Sequence, residues 1–149
     1  KKNNYFDVVC CFELFEHMYD PFLFLKKINK LLKKNGIIYF STLNGKGFDI
    51  ELLKQNSSAI YPPYHLNFFN PTSVKKILEL SGFRQVKVET PGELDFDIVS
   101  KNINNIENNV SKLIFNELLK KFKESDKIKL QKIIRKKNMS SHMLISAKK

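Results

Sequence analysis

Phe6-Asp7-Val8-Val9-Cys10-Cys11-Phe12, followed at once by Glu13-Leu14-Phe15-Glu16-His17, decides how this chain is read. The first half is a continuous apolar run, the pattern of a strand buried on both faces of a parallel sheet. The second half gathers two carboxylates and an imidazole just past the strand. Open α/β sheets bind ligands beyond the carboxyl ends of their strands, so this cluster stands where chemistry is expected. Burial on both faces also requires neighbouring strands, although this strand starts close to Lys1.

Downstream, Asp20-Pro21 supplies a helix cap with proline at the first helical position. Phe22, Leu25, Ile28, Leu31 and Leu32 recur at helical spacing, and Asn35-Gly36 closes the predicted helix. Ile37-Ile38-Tyr39-Phe40-Ser41-Thr42 reads as a second buried strand, completing a right-handed parallel crossover unit. The loop Leu43-Asn44-Gly45-Lys46-Gly47 lacks both the dinucleotide spacing and the Gly-Lys-Ser/Thr ending of a phosphate loop, and reads as a flexible rim.

The stretch Tyr61-Pro62-Pro63-Tyr64-His65-Leu66-Asn67-Phe68-Phe69 is too rich in proline and aromatic residues for a helix. It predicts a stiff aromatic wall, suited to lining a small acceptor or to covering the sheet. Asn70-Pro71 opens another capped helix that ends at Ser81-Gly82. The alternation in Arg84-Gln85-Val86-Lys87-Val88-Glu89-Thr90 predicts a strand nearer the sheet edge. Pro91 to Asp97 forms a turn with three carboxylates. Asp95 is its member of interest, either toward a ligand or as part of a solvated helix cap. From about Ser100, Ile103, Ile106, Val110, Leu113, Ile114, Leu118 and Phe122 predict one long helix. Ser125-Asp126 breaks it, a shorter helix follows through Ile134, and Ser141 to Ala147 closes the chain as a strand.

The 149 residues, 42% hydrophobic with 13 Phe, are enough for one domain with its own core. The net charge of +11 is unevenly spread. Residues 1–100 carry thirteen basic against eleven acidic residues, and residues 101–149 thirteen against four. The segment with candidate chemistry is therefore nearly neutral, and 101–138 reads as a basic helical insertion within a single partial domain. A nucleic-acid partner is not expected, because a solvated lysine-rich face explains the charge. Cys10 and Cys11 are adjacent in a strand and point to opposite faces, which disfavours a disulfide or a metal pair and predicts buried thiols in a reducing compartment. With no run approaching the roughly 20 apolar residues of a membrane span, a cytoplasmic protein is expected.

Phe6-Asp7-Val8-Val9, the pattern Glu13-x-x-Glu16-His17-x-x-Asp20-Pro21, the helix ending Leu31-Leu32-Lys33-Lys34-Asn35-Gly36, and Ser41-Thr42-Leu43-Asn44 together resemble the second half of class I S-adenosylmethionine-dependent methyltransferases. The similar subgroup includes the ubiquinone-biosynthesis-like small-molecule enzymes. Tyr64 to Pro71, Ser81-Gly82-Phe83 and Ser141-His142-Met143-Leu144 fit it too, while Leu43 departs from the proline common before Asn44.

The resemblance implies an α/β fold: the last four strands of a doubly wound, Rossmann-like sheet. The final strand runs antiparallel and inserts between the two before it. It also implies that the glycine-rich loop, the ribose-binding acid and the adenine-contacting strand precede Lys1. S-adenosylmethionine is the implied cofactor, with little affinity expected without that amino-terminal half. Cys11, Phe12, Glu13 and His17 are the implied cofactor neighbours. His65, slightly favoured, and His17 are the candidate bases. Asn44, Tyr61, Tyr64, His65 and Asp95 are expected to line the acceptor, and no metal is assigned. The uncovered first strand predicts self-association, or covering by a partner chain. A non-catalytic assembly module that binds an acidic partner is the alternative reading.

Overall fold

The computed structural model describes residues 3–149. Strand β1 (Phe6–Cys11) leads through a 3-10 turn (Phe15–His17) into α1 (Pro21–Leu31) and β2 (Leu32–Leu43), followed by α2 (Phe48–Leu53), α3 (Pro71–Leu80) and β3 (Arg84–Glu89). Three helices, α4 (Asp95–Lys101), α5 (Asn109–Lys121) and α6 (Glu124–Lys136), intervene before β4 (His142–Lys148). The caps read from the sequence set two of these helix starts. Asp20 Oδ1 accepts from Leu23 N–H, and Asn70 Oδ1 accepts from Thr72 and Ser73 N–H.

The sheet order is β1-β2-β4-β3, with β1 and β2 parallel and β4 antiparallel to both of its neighbours. The inserted last strand is the arrangement that the resemblance implies. Ile38 and Phe40 of β2 and Met143, Ile145 and Ala147 of β4 form the centre of the core, under Leu25 of α1 and Val74 and Leu78 of α3. Phe15 is fully buried, its ring 5.1 Å from both Phe40 and Phe69.

Four expectations are corrected. β1 is not buried on both faces: Val8 is 52% exposed, because among the described residues β1 has a strand neighbour on one side alone. Helix α1 stops at Leu31, short of Asn35-Gly36. Phe6 pairs with Leu32 and Val8 with Ile37, so residues 33–36 bulge from the ladder, with Asn35 at φ 65°. Gly36 suits that bulge, since a Cβ there would lie a tight 3.0 Å from the Lys33 carbonyl oxygen and 3.1 Å from that of Asp7. The single long helix expected from Ser100 is instead α4 and α5, separated by a 3-10 turn (Ile103–Asn105), with Asn108 capping α5 through Ser111 N–H. The break expected at Ser125-Asp126 falls instead at Phe122-Lys123, where the backbone is extended between α5 and α6. Asp126 Oδ2 accepts Lys123 N–H in the first turn of α6.

The helices between β3 and β4 build a second apolar cluster of Phe96, Val99, Ile106 and Phe115 against Leu53 of α2. Because α2 starts just past the carboxyl end of β2, this cluster caps the end of the sheet where a ligand cleft is expected.

Candidate active site

β1 and β2 end at the same rim, and the chain leaving β1 turns back across it through Glu13, held at φ 47°. Glu13 N–H donates to Ser41 Oγ at 3.1 Å, and that hydroxyl donates to Glu13 Oε1 at 2.5 Å. His142 Nε2, at the start of β4, lies 3.3 Å from Glu13 Oε2. One residue along β2, the Thr42 hydroxyl donates at 2.9 Å to Oε2 of Glu16, a buried carboxylate. The ends of β1, β2 and β4 are thus tied together by two acids.

The backbone of the 3-10 turn then fixes the aromatic loop. Glu16 C=O accepts from Leu66 N–H at 2.8 Å and Asn67 N–H at 3.0 Å, and the Asn67 amide donates to the Met18 carbonyl at 2.6 Å. This stitching brings His65 to His17, with ring centroids 4.9 Å apart. His17 Nδ1 lies 2.6 Å from the Tyr64 carbonyl oxygen, and His65 Nδ1 lies 2.7 Å from that of Ala59. A carbonyl can only accept, so each neutral ring carries its proton on Nδ1 and keeps a lone pair on Nε2. His17 Nε2 is 3.9 Å from Glu16 Oε1. One donor atom from each of Glu16, His17 and His65 can be chosen so that all lie within 4.8 Å of one another.

Tyr61 and Tyr64 are exposed and stacked at 5.2 Å with an interplanar angle of 8°, across the cis Pro62–Pro63 peptide. Phe12 presents an exposed ring at the end of β1, edge-on to Tyr39. Two of the residues expected to line the acceptor sit elsewhere. Asn44 is fully buried, its amide donating to the Asn138 and Ser140 carbonyls. Asp95 is 2% exposed: its turn is solvated at Pro91, Glu93, Leu94 and Asp97, but the Asp95 side chain itself points inward and is closed to a ligand. Its Oδ1 accepts from both Ser141 N–H and the Ser141 hydroxyl at 2.6 Å, and its Oδ2 accepts from Gln131 at 2.5 Å. Both side chains hold the entry into β4 in place. Glu16 belongs to the cluster expected past the first strand, whereas Ser41 and Thr42 had no sequence signal beyond their position at the end of β2.

Burial pushes the Cys11 thiol up to about 11, with the neighbouring Cys10 and Glu16 charges adding to the effect. Both cysteines are free, but Cys10 is exposed, contrary to the expectation of two buried thiols. A disulfide-exchange reagent at pH 8 is expected to titrate one thiol quickly, with Cys11 reacting at least about tenfold more slowly than in the unfolded chain. Since its folded value lies above the unfolded 9.0, this thiol's contribution to stability is complete below pH 9 and is lost as the pH rises toward 11.

A family model described as a methyltransferase domain matches residues 1–88, more than half the chain. The chain belongs to this methyltransferase family. Curated relatives resemble it over a short stretch. The ubiquinone biosynthesis O-methyltransferase of Histophilus somni is 46% identical over 39 residues, 26% of this chain and 16% of the relative. That of Pelagibacter ubique is 48% identical over 44 residues, 30% of this chain and 18% of the relative. Solved structures match nearly all of the fold. Phosphoethanolamine N-methyltransferase 2 of Haemonchus contortus, in complex with S-adenosylmethionine, has a TM-score of 0.60 at 18% identity, over 99% of this chain and 34% of its own. A SAM-dependent methyltransferase from Archaeoglobus fulgidus gives 0.55 at 23% identity, over 99% of this chain and 61% of its own. This methyltransferase chain therefore spans less than two thirds of the proteins it matches. Its family is that of the methyltransferase domain, and its fold is the one these S-adenosylmethionine-dependent methyltransferase structures share.

Proposed function

We propose that this methyltransferase chain forms the acceptor side of a cleft in which a small molecule is methylated. The observation carrying this reading is the pair His17 and His65 at the strand rim, both with Nδ1–H committed to carbonyls and Nε2 open, beside the exposed tyrosine wall. An imidazole with a free Nε2 can take the proton that an acceptor hydroxyl or amine loses as it attacks carbon. His65 is the base in this reading because it belongs to the loop that frames the acceptor. The Glu16 carboxylate beside His17 offsets positive charge that arises on the pair. Two stacked tyrosines on a proline-stiffened loop offer a flat apolar face with little ordering left to do.

The residues present fit one side of S-adenosylmethionine. The exposed Phe12 ring and the carboxyl end of β1 suit its methionine portion, and Cys11, Phe12, Glu13 and His17 are the residues that would border it. When bound, the cofactor supplies an electrophilic methyl group. The uncovered side of β1 is the place for the strands that complete the cleft, from an upstream half of the polypeptide or from a partner chain. A second copy of the chain would compete for the same edge, which is the basis for self-association.

Calorimetric titration of S-adenosylmethionine tests this reading. The 149-residue chain alone is expected to show no saturable binding below about 1 mM, and the chain extended upstream by roughly 100 residues to bind in the micromolar range. Tight binding to the chain alone would remove the need for a second half. No binding by the extended protein would remove the methyltransferase reading itself.

A second reading rests on the donor set. Two imidazole Nε2 atoms, each backed by an Nδ1–H bond to a carbonyl, and a carboxylate oxygen make a ligand set for a divalent ion such as zinc or manganese. Such an ion would acidify an acceptor hydroxyl without a protein base.

A further inference from the structure

α5 and α6 each bury one face in the helical cap and turn the other outward. On α5, Phe115 packs on Phe96 and Phe48, whereas Val110, Leu113 and Ile114 are 66%, 64% and 56% exposed. Their spacing of three and four residues puts them in one aliphatic stripe. On α6, Ile134 is buried while Ile128 and Ile133 are exposed, and Lys129 and Lys136 flank Ile133 at helical spacing, with Lys132 beside it in sequence.

The acidic residues of the two helices are engaged locally. Glu117 pairs with Lys120, Glu124 with Lys127 and Asp126 with Lys129. Among the described residues, Lys121, Lys132, Lys136 and Lys137 form no ion pair, so the basic excess of residues 101–149 is displayed on this part of the surface.

We propose that the outer faces of α5 and α6 dock on an anionic lipid surface. The aliphatic side chains enter the acyl boundary and the lysines lie over lipid phosphates. Two other occupants fit less well. Single-stranded nucleic acid stacks on exposed rings and arginines, whereas here the one arginine of the two helices, Arg135, faces Glu93 at 3.6 Å, and Phe115 and Phe122 turn inward onto Phe96. A second copy of the chain would set lysines against lysines. The surface belongs to the cap at the cleft end of the sheet, since α2 leaves the β2 rim and its Phe48 meets Phe115. Its recognition chemistry is independent of catalysis.

Co-sedimentation of the 149-residue chain with vesicles tests the proposal. Binding to phosphatidylcholine vesicles containing about a quarter phosphatidylglycerol should exceed binding to pure phosphatidylcholine by about tenfold or more. It should fall by a similar factor between about 0.05 and 0.5 M salt. Because Leu113 and Ile114 are exposed, the doubly substituted L113E/I114E protein should keep the parent circular dichroism spectrum while losing about tenfold in vesicle binding. K132E/K136E should lose a comparable factor through charge alone. Equal binding to both vesicle types, or binding that neither variant weakens, overturns the proposal. So does salt-sensitive binding to an RNA or DNA duplex that survives L113E/I114E.

Discussion

Alanine at Asp95 is expected to lower the unfolding free energy by about 2–5 kcal/mol, although the side chain touches nothing at the candidate cleft. The carboxylate is buried and holds three donors, Ser141 N–H, the Ser141 hydroxyl and the Gln131 amide. Truncation leaves the Ser141 N–H and hydroxyl without their acceptor and the Gln131 amide with the Gly92 carbonyl alone, at the buried joint where α4 and α6 meet the entry to β4. For a domain of this size the loss corresponds to a fall in Tm of roughly 2–4 °C per kcal/mol. Urea denaturation should show a lower midpoint at unchanged m-value. Asp95→Asn should fall between, since its oxygen can still serve Ser141 while its NH2 group confronts the Gln131 amide. An acceptor-lining Asp95 would behave in the opposite way, with stability within about 0.5 kcal/mol of the parent and the whole effect in KM.

Asp95 also shows where sequence reasoning stops. A carboxylate after Pro-Gly reads equally as a cap, a ligand or solvent-facing, and the choice is made by Ser141 and Gln131, which lie 46 and 36 residues away. Asn44 was misplaced for the same reason, its partners being the Asn138 and Ser140 carbonyls. What was legible was local or periodic. Asp20-Pro21 and Asn70-Pro71 start helices where those caps require, and the apolar runs of β2 and β4 form the middle of the sheet. The equally apolar run of β1 forms the expected strand but not the expected burial on both faces, so its conformation was legible and its exposure was not. Both histidines were recognised as candidates, but as alternatives. Their meeting depends on Leu66 and Asn67 N–H bonding to the Glu16 carbonyl, and backbone bonds of that kind leave no mark on side-chain pattern.

In the upstream-extended protein of the proposed reading, His65→Ala is expected to lower kcat by about 10²- to 10⁴-fold with KM changed only a few-fold, the signature of a lost proton acceptor. Fold loss is not the cause anticipated, because the ring makes one hydrogen bond, to the Ala59 carbonyl, and is not fully buried. His17→Ala separates the two chemistries that the cluster can perform. If His65 is the base, removing His17 takes away a neighbour rather than the acceptor of the proton. The loss should then be smaller, and a chelator should leave the parent enzyme unchanged. If Glu16, His17 and His65 instead hold a divalent ion, each histidine supplies one ligand of equal standing. Both variants should then fail together, the chelator should abolish parent activity, and added zinc or manganese should restore it. Loss in His65→Ala with chelator-insensitive parent activity selects the base. Activity retained in His65→Ala rejects both, and leaves the histidine pair as a packing contact between the aromatic loop and the strand rim.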